Sequence, residues 1–192
     1  DAEQGIVSRE TDGFAPMDLF LIRSTDSGRS WGEPQPLDPP VANPAFEVCH
    51  GVVELPDGAW LVPTATCKGW DGSLPAGEQA VLFRSEDQGE SWPSHASTFR
   101  QSGVNYWEQS VVPLGGDRLL AVGWAHEFTT GRNLPTPYVL SDDGGKTFSS
   151  PLETGFLGQT CKALHLGDDR LLCVYRRSDR PGLRSEEHTS EL

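Results

Sequence analysis

Glu108 stands directly after two aromatic residues, in Tyr106-Trp107-Glu108, and Glu47 occupies a comparable place after Phe46. Arg176 and Arg177 close an apolar run, RLLCVYRR, over 170–177. Lys68, Trp124 and His126 stand at the ends of two similar runs. These residue types have defined chemistry. A planar guanidinium can donate two parallel hydrogen bonds to a carboxylate. A positioned carboxylate can polarise a nucleophile or move a proton. Indole faces stack on the apolar side of pyranose rings. Each also has a plain structural reading. Glu108 can pair with a cation of a neighbouring element, Arg176 can be a surface residue beside Arg177 and Arg180, the tryptophans can be core, and His50 and His126 can be buried framework.

The elements that position these residues are visible as repeats. Ser24–Trp31 reads STDSGRSW, Ser85–Trp92 reads SEDQGESW and Ser141–Phe148 reads SDDGGKTF. The shared pattern is S-x-D-x-G-x-[ST]-[WF], and its serines are 61 and 56 residues apart. Self-similarity at that period marks a repeat architecture. Each copy follows a β-like run, over 18–23, 79–84 and 137–140, so the motif sits at a hairpin turn. Asp26, Asp87 and Asp143 can accept turn amides. Gly28, Gly89 and Gly145 can supply positive φ. Trp31, Trp92 and Phe148 can pack the turn back onto its sheet. A motif present in every repeat cannot fill a single active site, so the expectation is a structural fastener rather than a metal or catalytic set.

Between the motifs lies a second repeated unit, a strand, a Gly/Asp turn and another strand. The turns are Pro56-Asp57-Gly58, Gly115-Gly116-Asp117 and Gly167-Asp168-Asp169. Each repeat therefore has four strands, A to D, and the fold expected is all-β, a β-propeller of four-stranded antiparallel blades. The chain supplies the C–D end of one blade, two near-complete blades and the A–B hairpin of a fourth, about three blades in all. The A–B and C–D turns share one face of a blade. The starts of A strands and the ends of B strands share the other, which is free for a pocket. That face would carry Glu47, His50, Trp107, Glu108 and Lys162 from A strands. From B strands it would carry Lys68, Trp124, His126, Arg176 and Arg177.

The S-x-D-x-G-x-[ST]-[WF] element resembles the Asp-box, or bacterial neuraminidase repeat, and the hairpin core at Leu55-Pro56-Asp57-Gly58 is similar to the sialidase family. The resemblance covers nearly all of residues 1–183. It implies a ring of six blades, so that blades of the same chain are missing from this arc, which alone is expected to be inactive. It also implies an exo-sialidase-like glycoside hydrolase with a glycan or glycoconjugate substrate bearing a terminal acidic sugar, and no cofactor or metal. A non-catalytic propeller that binds glycan or protein is the alternative. A secreted or periplasmic place is favoured by the resemblance alone. The sialidase pattern has an arginine triad, a Tyr nucleophile paired with Glu, and an Asp acid/base. Glu108 matches the Glu, and Arg176 matches a B-strand arginine. The equivalent places in the other two blades are Ala65 and Trp124, and neither the Asp nor the Tyr can be assigned.

Composition agrees with a turn-rich β protein: Gly (21) and Pro (15) are nearly a fifth of 192 residues, against a usual share of about 12%. A net charge of −13 excludes an electrostatic footprint for nucleic acid, and no apolar run reaches the length of a membrane-spanning helix. Residues 184–192, RSEEHTSEL, back-translate to a string resembling a sequencing-library adapter and are expected not to be native. Without them the charge moves from −13 to −11, since one Arg and three Glu are lost. Cys49, Cys67, Cys161 and Cys173 have no metal-ligand spacing. Disulfides within each hairpin and buried free thiols both fit them.

Overall fold

The computed structural model describes residues 5–177. Arg180 and the segment 184–192 lie outside the described residues. These contain fourteen strands and no helix, so none is long and apolar enough to cross a membrane.

Four antiparallel sheets follow one another along the chain. Sheet I pairs β1 (Leu19–Leu21) with β2 (Gln35–Leu37). Sheet II orders β3 (Ala45–Glu47) and β4 (Val53–Glu54) beside β5 (Trp60–Cys67), then β6 (Gln79–Ser85) and β7 (Ser94–Arg100). Sheet III orders β8 (Val104–Gly115), β9 (Arg118–Glu127), β11 (Pro137–Ser141) and β12 (Leu152–Glu153), with the short β10 (Arg132–Asn133) extending the free end of β9. Sheet IV pairs β13 (Gly158–Gly167) with β14 (Arg170–Arg177). These are the C–D pair, two four-stranded blades and the A–B pair expected. Two details differ from the repeat: strand A of sheet II is split by residues 48–52, and strand B of sheet III gains β10.

Burial explains why β6, QAVLFRS, is apolar without alternation. All seven of its residues are buried, because sheet II is covered on both faces. Val62, Val81 and Phe83 pack with Leu37 of sheet I, while Leu61, Leu82 and Phe99 pack with Leu119, Ala121 and Val139 of sheet III. In β14 burial alternates, since only one face is covered. Leu164 and Val174 are 57% and 66% exposed on the bare side of sheet IV. Phe20 of β1 and Ile22 just beyond its end are exposed.

The repeated turns share one hydrogen-bond scheme. Ser85 Oγ donates to Asp87 Oδ1 at 2.7 Å and accepts the Gly89 N–H at 2.8 Å. Asp87 accepts the Ser91 N–H at 2.9 Å and its hydroxyl at 2.6 Å. Asp26 with Ser24 and Ser30, and Asp143 with Ser141 and Thr147, repeat it. Gly28, Gly89 and Gly145 all have φ near +80°, and a Cβ on Gly145 would lie 2.9 Å from Leu119 Cδ1.

The aromatic residue that ends the motif packs between its own sheet and the preceding one. Trp92 joins the cluster between sheets I and II, and Phe148 the one between II and III. Trp31 is 60% exposed, contrary to the packing expected, because no sheet precedes sheet I among the described residues.

An arginine just before the motif adds a link the sequence reading missed. Arg23 Nη2 donates to the carbonyl of Gln88, and Arg84 Nη1 to that of Gly144, at 2.7 and 3.0 Å. Gln88 and Gly144 hold the same place, the left-handed residue between Asp and Gly, each in the turn of the next sheet. Arg84 also meets Asp57 of its own A–B turn at 3.0 Å. Both classes of turn therefore lie on one face.

Candidate functional site

On the opposite face, the A strands bulge. The pairing of β8 with β9 shifts between Trp107 and Ser110, and that of β13 with β14 between Gln159 and Lys162. The extra residues are Glu108 and Thr160, with φ of 51° and 53°. A left-handed conformation in a non-glycine residue costs about 1–3 kcal/mol and persists only where its surroundings fix it. They do so here. The Glu108 N–H donates to Glu47 Oε2 at 2.7 Å, and the Thr160 hydroxyl donates to Glu108 Oε2 at 2.5 Å. A chain of polar contacts thus ties Glu47 of sheet II to Glu108 of sheet III and Thr160 of sheet IV. Glu47 Oε1 accepts the Cys49 thiol at 2.9 Å. Burial pushes the Glu47 carboxyl above its usual range. The Cys49 thiol, desolvated and beside that carboxylate, is pushed up to about 12.

Lys162, expected on this face, places Nζ 2.8 Å from the His50 ring and donates to the Cys49 carbonyl at 3.2 Å. Burial, more than the Lys162 charge, holds the His50 imidazole low. These contacts anchor the 48–52 excursion to sheet IV.

Arg176 is exposed, and its Nε and Nη2 donate to Gln159 Oε1 at 3.0 and 2.6 Å. Gln159 is its cross-strand partner and precedes Thr160, so Arg176 stands one step along the same rim from Glu108. Pairing puts Glu47 opposite Ala65, Trp107 opposite Trp124 and Gln159 opposite Arg176. Ala65 and Trp124 are thus the structural equivalents of Arg176. Arg177 faces Gly158 at the end of the ladder.

The remaining candidates come together between sheets II and III. Trp107 lies 5.0 Å from Trp124, 6.0 Å from His126 and 6.2 Å from Phe128, centroid to centroid. Lys68 Nζ sits 4.4 Å above the Phe128 ring. Asn133 Oδ1 accepts the Trp124 indole N–H at 2.8 Å and lies 3.1 Å from His126 Nδ1. An acceptor there places the neutral His126 proton on Nδ1 and leaves Nε2 as the acceptor.

Two cavities adjoin at this ladder. One, about 270 Å³, is lined by Asp12, Lys68, Asn105 and His126 among others. The second, about 370 Å³, is lined by Phe46, Glu47, Cys49 and Trp124 among others. Both share Phe14, Cys67 and Trp107. Phe14 belongs to a strap that sequence reasoning missed. The Phe14 N–H donates to the Lys68 carbonyl at 2.8 Å, and Thr11 Oγ1 to that of Trp70 at 2.8 Å. A Cβ on Gly13 would fall 1.8 Å from the Gly69 oxygen, so only glycine permits the approach. Nothing in the repeat marks this strap, because it lies outside it. Thr160 was findable as the residue matching Glu108.

All four cysteines are free thiols. Cys67 pairs with Ala45 in the sheet, not with Cys49. Cys161 is buried and Cys173 half-buried, within the cluster between sheets III and IV.

Comparisons with known proteins agree with this architecture. The BNR repeat-like domain model matches residues 6–186. A crystal structure of a protein of unknown function from Dyadobacter fermentans superposes with a TM-score of 0.62 at 26% identity, over 81% of this chain and 43% of that one. The NanB sialidase of Streptococcus pneumoniae gives 0.59 at 18% identity, over 84% of this chain and 24% of that one. The intramolecular trans-sialidase of Ruminococcus gnavus, solved with oseltamivir carboxylate, gives 0.59 at 19%, over 77% and 29%. The chain thus spans less than half the length of these structures. No curated protein matches. With a family model covering most of its length and sheets that follow the sialidase propeller, the chain belongs to the BNR repeat-like domain family.

Proposed function

We propose that the three turns are Asp-boxes, that the ring has six blades when complete, and that the rim opposite the turns is the glycan site of an exo-sialidase-like hydrolase acting on terminal acidic sugars. The observation that carries this reading is Glu108. Its backbone is held in a costly conformation by Glu47, and its carboxylate is aimed along a rim that also carries Arg176 and adjoins a cleft. Bulges of this kind recur beside active sites. Glu108 would polarise a nucleophile supplied by another blade, and Arg176 would release Gln159 to clamp the sugar carboxylate. Asp12, Lys68 and His126 would face the glycan.

The test is sialoside turnover by the propeller with its ring complete. Arg176→Ala should lower kcat/KM by at least about tenfold, roughly 1.4 kcal/mol of lost transition-state stabilisation. Arg176→Lys should recover only part, since an ammonium lacks the fork. Full activity in both variants contradicts the assignment. A second reading is favoured by one observation: Ala65 and Trp124 stand where two further arginines would complete a triad. On that reading the rim binds glycan or protein without turnover, and sialosides bind but stay intact.

A further inference from the structure

We infer that Cys161 and Cys173 form a redox site, a dithiol that closes to a disulfide by exchange with a low-molecular-weight disulfide such as oxidised glutathione, and that closure draws Thr160 off Glu108. What the second step does to activity rests on the function proposed above. The fold brings the two thiols together. Ala163 of β13 stands opposite Cys173 of β14, and Cys161 lies two residues before Ala163. Side chains alternate along a strand, so Cys161 and Cys173 are diagonal neighbours on one face. Both pack in the cluster between sheets III and IV. The Cys161 thiol donates a hydrogen bond to the Cys173 sulfur. A disulfide needs Cβ atoms about 3.5–4.5 Å apart, closer than a diagonal pair ordinarily stands. The bulge between Gln159 and Lys162 supplies the slack, because residues 160 and 161 fall outside the one-to-one register.

The two cysteines differ in a way that sets the order of attack. Cys161 is 1% exposed, whereas Cys173 is half-buried. Their hydrogen bond holds the Cys173 thiol down to about 7 and pushes that of Cys161 up. The thiolate is the nucleophile. The Cys173 thiolate attacks one sulfur of glutathione disulfide; the S–S bond breaks, and the departing glutathione thiolate takes up a proton. Cys161 then attacks the Cys173 sulfur of the mixed disulfide, and its proton leaves with the second glutathione. Two protein thiols are oxidised by two electrons, and one glutathione disulfide is reduced to two thiols. Cys49 and Cys67 are internal controls. Burial pushes both thiols up to about 12, with Glu47 adding to the effect, so neither supplies thiolate near neutral pH. The consequence runs through the chain. Cys161 follows Thr160, whose hydroxyl donates to Glu108 Oε2 at 2.5 Å. Drawing Cys161 onto Cys173 takes up the slack of the bulge and pulls that hydroxyl away.

The test equilibrates the ring-complete propeller in graded mixtures of reduced and oxidised glutathione, blocks free thiols with iodoacetamide and digests with trypsin without reduction. Residues 147–162 should be found linked to 171–176 through Cys161 and Cys173, with Cys49 and Cys67 alkylated. The rate of closure should level off above about pH 8, where Cys173 is already thiolate. Cys161→Ser should stop at the glutathione mixed disulfide on Cys173, and Cys173→Ser should form neither product. Should Cys161→Ser fail to fold, Cys161→Ala carries the comparison. On closure the side-chain carboxyl carbon resonance of Glu108 should shift, and sialoside turnover should fall by about tenfold or more and return with dithiothreitol. No linked peptide at any ratio, or one through Cys49 or Cys67, overturns the redox site. A linked peptide with the Glu108 resonance unmoved overturns the coupling. A moved resonance with sialoside turnover absent, or indifferent to oxidation, overturns the proposed function of Glu108 alone.

Discussion

Glu108 separates what its type tells from what its place demands. That a carboxylate would face this rim was legible from the repeat. Its left-handed backbone was not, because the bulge arises from one extra residue of β8 against β9, a long-range register that no local pattern encodes. The strain is itself testable. Glu108→Gly removes the carboxylate and relieves the backbone while keeping the N–H that Glu47 accepts. Melting should stay within about 1 kcal/mol of the parent, since the relief offsets the lost bond to Thr160. Turnover should fall by at least about a hundredfold, the scale of a lost acid–base or nucleophile-activating group. A destabilised but fully active variant would show that the residue is framework. Trp31 teaches the converse: its type suggested packing, but no sheet precedes sheet I among the described residues to cover it.

At the scale of the element, the turns are fasteners linked from one sheet to the next. Their hydrogen-bond scheme was readable from three copies of one motif. The arginine link was not, because Arg23 and Arg84 precede the motif and the third copy has Leu140 there. Leu140 has no turn to reach, since sheet IV carries no such motif among the described residues. Arg84 has a side chain only 8% exposed, so its loss leaves the Gly144 carbonyl without its donor. Arg84→Leu should cost about 1–3 kcal/mol, the scale of a buried unsatisfied polar group. Arg23→Leu, at 35% exposure, should cost less. Urea unfolding of both variants checks the order, and equal costs would show that burial does not set the strength of the link.

For the whole molecule, the turns predict how stability varies with pH. Ser30 and Ser91 hydroxyl and amide donors hold Asp26 and Asp87 down to about 2. For Asp143, partial burial acts the other way but is outweighed by Thr147, Ser141 and Lys146, and it too lies at about 2. A carboxyl whose folded value is depressed contributes stability above its unfolded value of about 3.8 and loses it as pH falls through the folded one. The propeller should therefore lose stability between about pH 4 and 2. Asp143→Asn should flatten that loss while lowering the plateau above pH 5. An unchanged slope would show that the turns do not govern it. The bare faces of sheets I and IV make a second point, since stacked repeats are stabilised by their neighbours. Residues 1–183 alone should melt without cooperativity, and adding the flanking blades should restore it. The order of sheets was legible throughout, because each repeat carries its own signals. The cleft was legible only in part: Glu47, Lys68 and the aromatic residues follow from the repeat, while the strap with Asp12 and Phe14 lies outside it.

On the proposed function the two faces divide the work, turns for stability and opposite rim for glycan. Sialyllactose affinity and melting, measured together for Asp143→Asn and Arg176→Ala in the ring-complete propeller, separate the two roles. Asp143→Asn should melt earlier with its Kd unchanged, and Arg176→Ala should melt like the parent with its Kd raised by about tenfold or more. A Kd raised by Asp143→Asn, with Arg176→Ala binding like the parent, would contradict it.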